Sequence, residues 1–160
     1  VKVAADLGVW MLNVHISGGS TMMKAAKDAI LSRGGRKPIL IGVTVLTSIS
    51  NSELEEIGIN ANLQDHVANL ARLAYDSGLD GVVCSAEEAR LLRDSMPPDF
   101  ILVTPGIRRD QDSSGDQKRV ITPSQAVRNG SDYLVVGRPI TQASSPSAAL
   151  ASFNSEIASV

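Results

Sequence analysis

With one cysteine, Cys84, the chain cannot close an internal disulfide, which fits a protein kept in a reducing cytoplasm. Charge of one sign is also lacking. The formal net charge is -2, whereas a duplex-binding surface shows as a clustered basic excess, so no nucleic-acid partner is expected. No apolar run approaches the ~20 residues that a membrane span requires, and no signal peptide is visible, so no membrane partner is expected. Paired cysteines and a His-Glu-x-x-His are both missing, so no metal is expected, and no nucleophile-elbow pattern appears. The chain starts at Val1 and not at Met, and "VKVAADL" at 1 to 7 reads as the end of a helix, so the expectation is a chain that begins part way through a longer product.

What is present is the composition of one soluble globular domain: 160 residues, 43% hydrophobic and 20% charged. A chain of this length buries roughly 70% of the surface its unfolded form exposes and needs no staples. Short apolar runs rich in β-branched residues recur, each followed by a polar loop and a stretch of helical spacing. They predict strands at Met11 to Ile16, Ile39 to Leu46, Gly81 to Ser85, Phe100 to Thr104 and Tyr133 to Val136. Ser52 with Glu55, Ser85 with Glu88 and Thr122 with Gln125 fit capping-box spacing, and Pro123 and Pro146 fit first-turn positions. Gly34, Gly78 and Gly130 stand where helices would end in a left-handed residue.

Nearly unbroken apolar strands predict an α/β fold with a parallel sheet covered by helices. Five strand-helix units are too few for an eight-stranded barrel of about 250 residues, unless earlier units are missing. A doubly wound sheet fits the length directly, so both architectures stand at this point.

In either one, function gathers beyond the carboxyl ends of the strands. Two of those loops, "PGIRRDQDSSGDQKR" at 105 to 119 and "GRPITQ" at 137 to 142, combine arginines with glycines that let backbone N–H groups approach an anion. Arginine offers a planar fork matched to phosphate oxygens, so together they describe a phosphate site. Arg138 lies in a turn surrounded by apolar sequence, where a charge has little water to face, and it is read as an anion ligand. Arg109, Lys118 and Arg119 sit among Asp110, Asp112 and Asp116 and are read as a solvated loop. His15 is expected to order its turn, His66 to lie on the surface or pack, and Cys84 to be a buried structural thiol. The glycine pair within Ser17 to Ser20 is a weak phosphate signal.

The blocks "LNVHISGG" (12 to 19), "VTVLTS" (43 to 48), "GLDGVVCSAEEA" (78 to 89), "VTPGIR" (103 to 108), "GDQKRVITPSQA" (115 to 126) and "DYLVVGRPIT" (132 to 141) together resemble bacterial orotidine 5'-phosphate decarboxylase. The resemblance runs along essentially the whole chain, and its blocks in this order are more specific than any one of them. It implies a (β/α)8 TIM-barrel homodimer that converts orotidine 5'-phosphate to UMP and CO2 without metal or cofactor. It further implies that residues 1–160 are a single partial barrel domain covering roughly strands four to eight, with the N-terminal units missing. By the same resemblance Arg138 and the Gly137 N–H hold the phosphate, and Arg108 sits at the base of a phosphate-closing loop. Gln117 reaches from that loop toward phosphate and pyrimidine, and Thr47 contacts the nucleotide.

One departure matters. The family's chemical step uses an Asp-x-Lys-x-x-Asp segment, and here Asp116-Gln117-Lys118 begins that pattern but Ile121 stands where the second aspartate belongs. No catalytic residue is therefore assigned, and the chain alone is expected to be inactive. The rival expectations are another phosphate-binding barrel, such as a metal-using sugar-phosphate decarboxylase or aldolase, and a fragment that binds nucleotide without catalysis.

Overall fold

Five strands pair in the order in which they occur along the chain: β1 (Met11–His15), β2 (Ile39–Val43), β3 (Gly81–Val83), β4 (Ile101–Thr104) and β5 (Tyr133–Leu134), all parallel. The computed structural model describes residues 1–109, 112 and 119–160. Helices α1 (Lys2–Asp6), α2 (Gly19–Leu31), α3 (Asn51–Glu56), α4 (Leu63–Asp76), α5 (Ala86–Ser95), α6 (Pro123–Arg128), α7 (Arg138–Thr141) and α8 (Pro146–Ala158) complete the chain. A doubly wound sheet reverses its strand order at a switch point. This sheet has no reversal, so its crossovers all wind the same way.

That winding explains the core. Met23 and Ile30 of α2, Val67 and Ala74 of α4 and Leu92 of α5 pack with Leu40, Val82 and Leu102, which share one face of the sheet. A smaller cluster joins Ala86, Ile107, Ala126 and Phe153 beneath α8. The alternate strand residues point the other way. Ile41, Val43 and Val103 are buried there yet belong to neither cluster, and Tyr133 and Val135 are exposed. The sheet thus carries a second apolar face, buried at Ile41, Val43 and Val103 and open at Tyr133 and Val135. Trp10, just before β1, meets Tyr133 of β5 with ring centroids 5.3 Å apart, so the first and last strands curl toward each other.

The base of the sheet is fastened twice in the same way. Asp80 donates its N–H to the Leu40 carbonyl and accepts the Leu40 N–H on Oδ2, both at 2.8 Å, while Lys27 holds its other oxygen at 2.6 Å. Asp132 repeats the pattern on Leu102, with N–H to carbonyl at 2.9 Å and Oδ2 accepting at 2.7 Å, and Arg93 supplies the cation. Each aspartate follows a helix-ending glycine with positive φ, Gly78 or Gly130.

Local expectations were met unevenly. Ser85 and Glu88 form a full capping box, Thr122 caps α6, and Pro123 and Pro146 stand in first turns. The box at α3 is Ser50 with Glu53, not Ser52 with Glu55. Both pairs have the right spacing. The earlier one leaves Leu54 on the buried side of the helix, 1% exposed. After α2 the left-handed residue is Gly35, φ 78°, and not Gly34.

Candidate functional site

Thr47 leaves the carboxyl end of β2 in a turn closed by the Ile49 N–H on the Leu46 carbonyl at 2.9 Å, and its side chain is buried. Two strands along, the chain leaves β4 through Gly106, φ 78°, a conformation that favours glycine and redirects the backbone. Ile107 then makes a parallel bridge with Ile121, and the Arg108 N–H bonds the Ile121 carbonyl at 3.0 Å. Arg108 is 7% exposed, and its Nη1 donates to the Ile107 carbonyl at 2.7 Å.

On the adjoining strand, the Val135 N–H bonds the Thr104 carbonyl at 2.8 Å before the chain opens into Gly137 and α7. Among the described residues nothing lies within 4 Å of the point where a side chain would grow from Gly137. Arg138 follows as the first residue of α7. The structure therefore sets Arg108 and the pair Gly137–Arg138 on the ends of neighbouring strands, with Thr47 on the same rim. Gln117 lies outside the described residues, as does Lys118.

Three readings change. Arg138 is exposed and not shut in by apolar surroundings, because β5 ends at Leu134 and the following residues open to solvent. Arg109 is not a solvated loop residue: it grips Asp112 through Nε at 3.0 Å and Nη2 at 2.9 Å, and its guanidinium lies 4.5 Å over the Phe153 ring. That hydrogen bond holds the Asp112 carboxyl below its ordinary range. Arg119 is not solvated either. It pairs with the fully buried Glu88 and donates from Nη2 to the Leu46 carbonyl at 2.7 Å. Burial pulls its pKa down while Glu87 opposes the shift. The signal available in sequence was Glu88 in its capping box, which fixed its place but not its partner.

His15 is exposed at the end of β1 and makes no side-chain cap bond to the turn that follows, so the hydrogen-bonding role expected of it is not seen. His66 is half-buried on α4. Residues 17 to 20 complete a short 3-10 turn and open α2. Cys84 is buried, as read. Its thiol is pushed up to about 12 by burial, against a smaller opposing hydrogen bond from Thr104. Ellman's reagent at pH 8 is therefore expected to label the native chain about a hundredfold or more slowly than the urea-unfolded chain, because the thiolate is the nucleophile. Equal rates would show an accessible, reactive thiol. Among the described residues no group of three or more His, Cys, Asp or Glu is placed to hold a metal ion, and no helix is long and apolar enough to cross a membrane.

The rim thus carries two arginines and a glycine on neighbouring loops, with a buried threonine further along. Arginine and glycine backbone are residue types suited to a phosphate group. The sequence profile described as "Orotidine 5'-phosphate decarboxylase / HUMPS family" matches residues 1–153. Orotidine 5'-phosphate decarboxylase of Vibrio cholerae is 55% identical over 157 residues, which are 98% of this chain and 68% of that protein. The enzyme of the same name from Actinobacillus succinogenes is 54% identical over 160 residues, 100% of this chain and 69% of that one. A crystal structure of orotidine 5'-phosphate decarboxylase from Lactobacillus acidophilus superposes with a TM-score of 0.84 at 41% identity, covering 98% of this chain and 66% of that chain. The chain therefore spans about two thirds of the length of these relatives.

Proposed function

Because the chain belongs to the orotidine 5'-phosphate decarboxylase / HUMPS family, we propose that its 160 residues form the nucleotide-holding part of an enzyme converting orotidine 5'-phosphate to UMP and CO2 in pyrimidine biosynthesis. The observation that carries this reading is the placement of Arg108 and Gly137–Arg138 on the ends of adjacent parallel strands, with none of the described residues within 4 Å of a Cβ placed on Gly137. Arg138 and the Gly137 N–H hold the phosphate, Arg108 braces it from the next loop, and Thr47 meets the nucleoside. Gln117 completes the set by sequence resemblance. The phosphate is remote from the reacting carbon, so its binding energy orders the site instead of only tightening the ground state.

The architecture in this reading is a single partial (β/α)8 barrel domain over residues 1–160, with the five strands standing as strands four to eight. Consecutive strand order supports it, as does a second apolar face whose residues lie outside both core clusters. So does the ring contact between Trp10 and Tyr133, since strands four apart in an eight-stranded barrel face each other across its axis. The whole enzyme is read as a cytoplasmic homodimer acting on a small molecule without cofactor, with no nucleic-acid or membrane partner.

These 160 residues contain no Asp-x-Lys-x-x-Asp, the segment the family uses for its chemical step. The expected result for the purified chain is heat on titration with UMP but no UMP formed from orotidine 5'-phosphate, followed by its absorbance change. Turnover would overturn the division of labour proposed here. Absence of any UMP heat would overturn the nucleotide-holding role.

A further inference from the structure

We infer that Arg119 is a positioning residue for the nucleotide pocket, acting through the Leu46 carbonyl to hold the turn that carries Thr47. The inference rests on the proposed function only in taking Thr47 as a nucleotide contact. Its geometry stands apart from that.

The Leu46 carbonyl is a junction. It closes the Leu46–Ile49 turn by accepting the Ile49 N–H at 2.9 Å, and it also accepts Arg119 Nη2 at 2.7 Å from 73 residues away in sequence. The Leu46 side chain is itself 49% exposed, so apolar packing at this residue does little to fix the turn. On the far side of Arg119, Glu88 is 1% exposed and cannot swing, because its Oε2 accepts the Ser85 N–H at 2.8 Å within the cap of α5. The connection therefore runs from the rigid head of α5 through Glu88 and Arg119 to the backbone on which Thr47 rides. Arg119 also stands two residues before Ile121, whose carbonyl takes the Arg108 N–H, so one guanidinium joins the Thr47 turn to the strand-end pairing beside Arg108.

Two observations argue against a purely stabilising role. Arg119 Nε is buried without an acceptor, a defect that a pair kept only for stability has no reason to retain. Buried ion pairs are in any case poor contributors to net stability compared with apolar packing. A cleft of about 430 Å³, lined by Ile49, Ser50, Asn51, Asn62, Glu87 and Arg119 among others, opens beside the turn. Without its tether the turn has space into which to relax.

The test is site-resolved hydrogen exchange on the unaltered chain and on Arg119→Met, Arg119→Lys and Glu88→Gln, with UMP and inorganic phosphate titrations of each. In Arg119→Met the Ile49 amide is expected to exchange about tenfold faster or more, since a hydrogen bond to a charged group is lost, while amides of β1, β2 and α4 keep their rates. Arg119→Lys restores part of the protection. Glu88→Gln, which keeps an acceptor for Ser85, reproduces part of the loss and decides the matter if Arg119→Met does not fold. UMP affinity falls in step with Ile49 protection, whereas phosphate affinity does not move. Unchanged Ile49 exchange, or acceleration spread evenly over the sheet, would overturn the inference. Failure of the unaltered chain to bind UMP would count against the proposed function alone, because the exchange result still decides what Arg119 holds.

Discussion

Arg138→Ala is expected to weaken UMP binding about a hundredfold or more while leaving the melting temperature unchanged. Two forked bonds from a guanidinium to phosphate oxygens, each worth roughly 1.5 to 3 kcal/mol, account for that factor. Stability stays put because Arg138 is exposed at the first position of the four-residue helix α7, so its removal opens no cavity in the core. Arg138→Lys should recover part of the affinity, since a point charge keeps the attraction but not the fork. Calorimetric titration against UMP, paired with a thermal melt, reads both quantities. An affinity equal to that of the unaltered chain would remove Arg138 from the phosphate site.

Gly81→Ala is expected to act on the fold and the site together. A Cβ built on Gly81 would stand 2.2 Å from the Ile101 carbonyl oxygen and 2.7 Å from its Cβ. The oxygen belongs to backbone, so relief requires β3 and β4 to shift against each other. Forced overpacking of this kind costs about 1 to 3 kcal/mol, which lowers the melting temperature of a domain this size by roughly 3 to 10 °C. Because β4 leads directly to Arg108, the same shift should weaken UMP binding. A melting curve superimposable on that of the unaltered chain would show that the strands accommodate the methyl group freely.

The strands were legible because each is a continuous apolar run, a pattern that survives without knowledge of neighbours. Their ends were not. The run 133 to 136 became β5 over only Tyr133–Leu134, because its ladder partner β4 stops at Thr104. The run 81 to 85 became β3 over only Gly81–Val83, and Ser85, read both as its end and as a cap, is the cap of α5 alone. Barrel against doubly wound sheet could not be decided from periodicity, since both give alternating strands and helices. Strand order decides it, and order is a property of pairing.

The site shows the same division. Thr47, Arg108, Gly137 and Arg138 were picked out from motif blocks, and they lie beyond the carboxyl ends of β2, β4 and β5. The reason first given for Arg138 failed, since apolar neighbours in sequence did not bury it. Arg109 and Arg119 failed in the opposite sense. Nearby aspartates suggested a solvated loop, but Arg119 pairs with Glu88, 31 positions back, and Arg109 lies on Phe153 of α8. Contacts made across such separations leave no local pattern to read.

The twin aspartates at the base of the sheet bear on how the chain assembles in time. Asp80 fastens β3 to β2, and Asp132 fastens β5 to β4, each reaching back to the strand synthesised just before it. Neither fastening needs residues that come later. Parallel sheets fold slowly when distant partners must find each other, and short sequence separations shorten that search. On a ribosome, β3 and β5 can each be locked to the preceding strand as they emerge, so the growing edge presents a fixed template at those two steps.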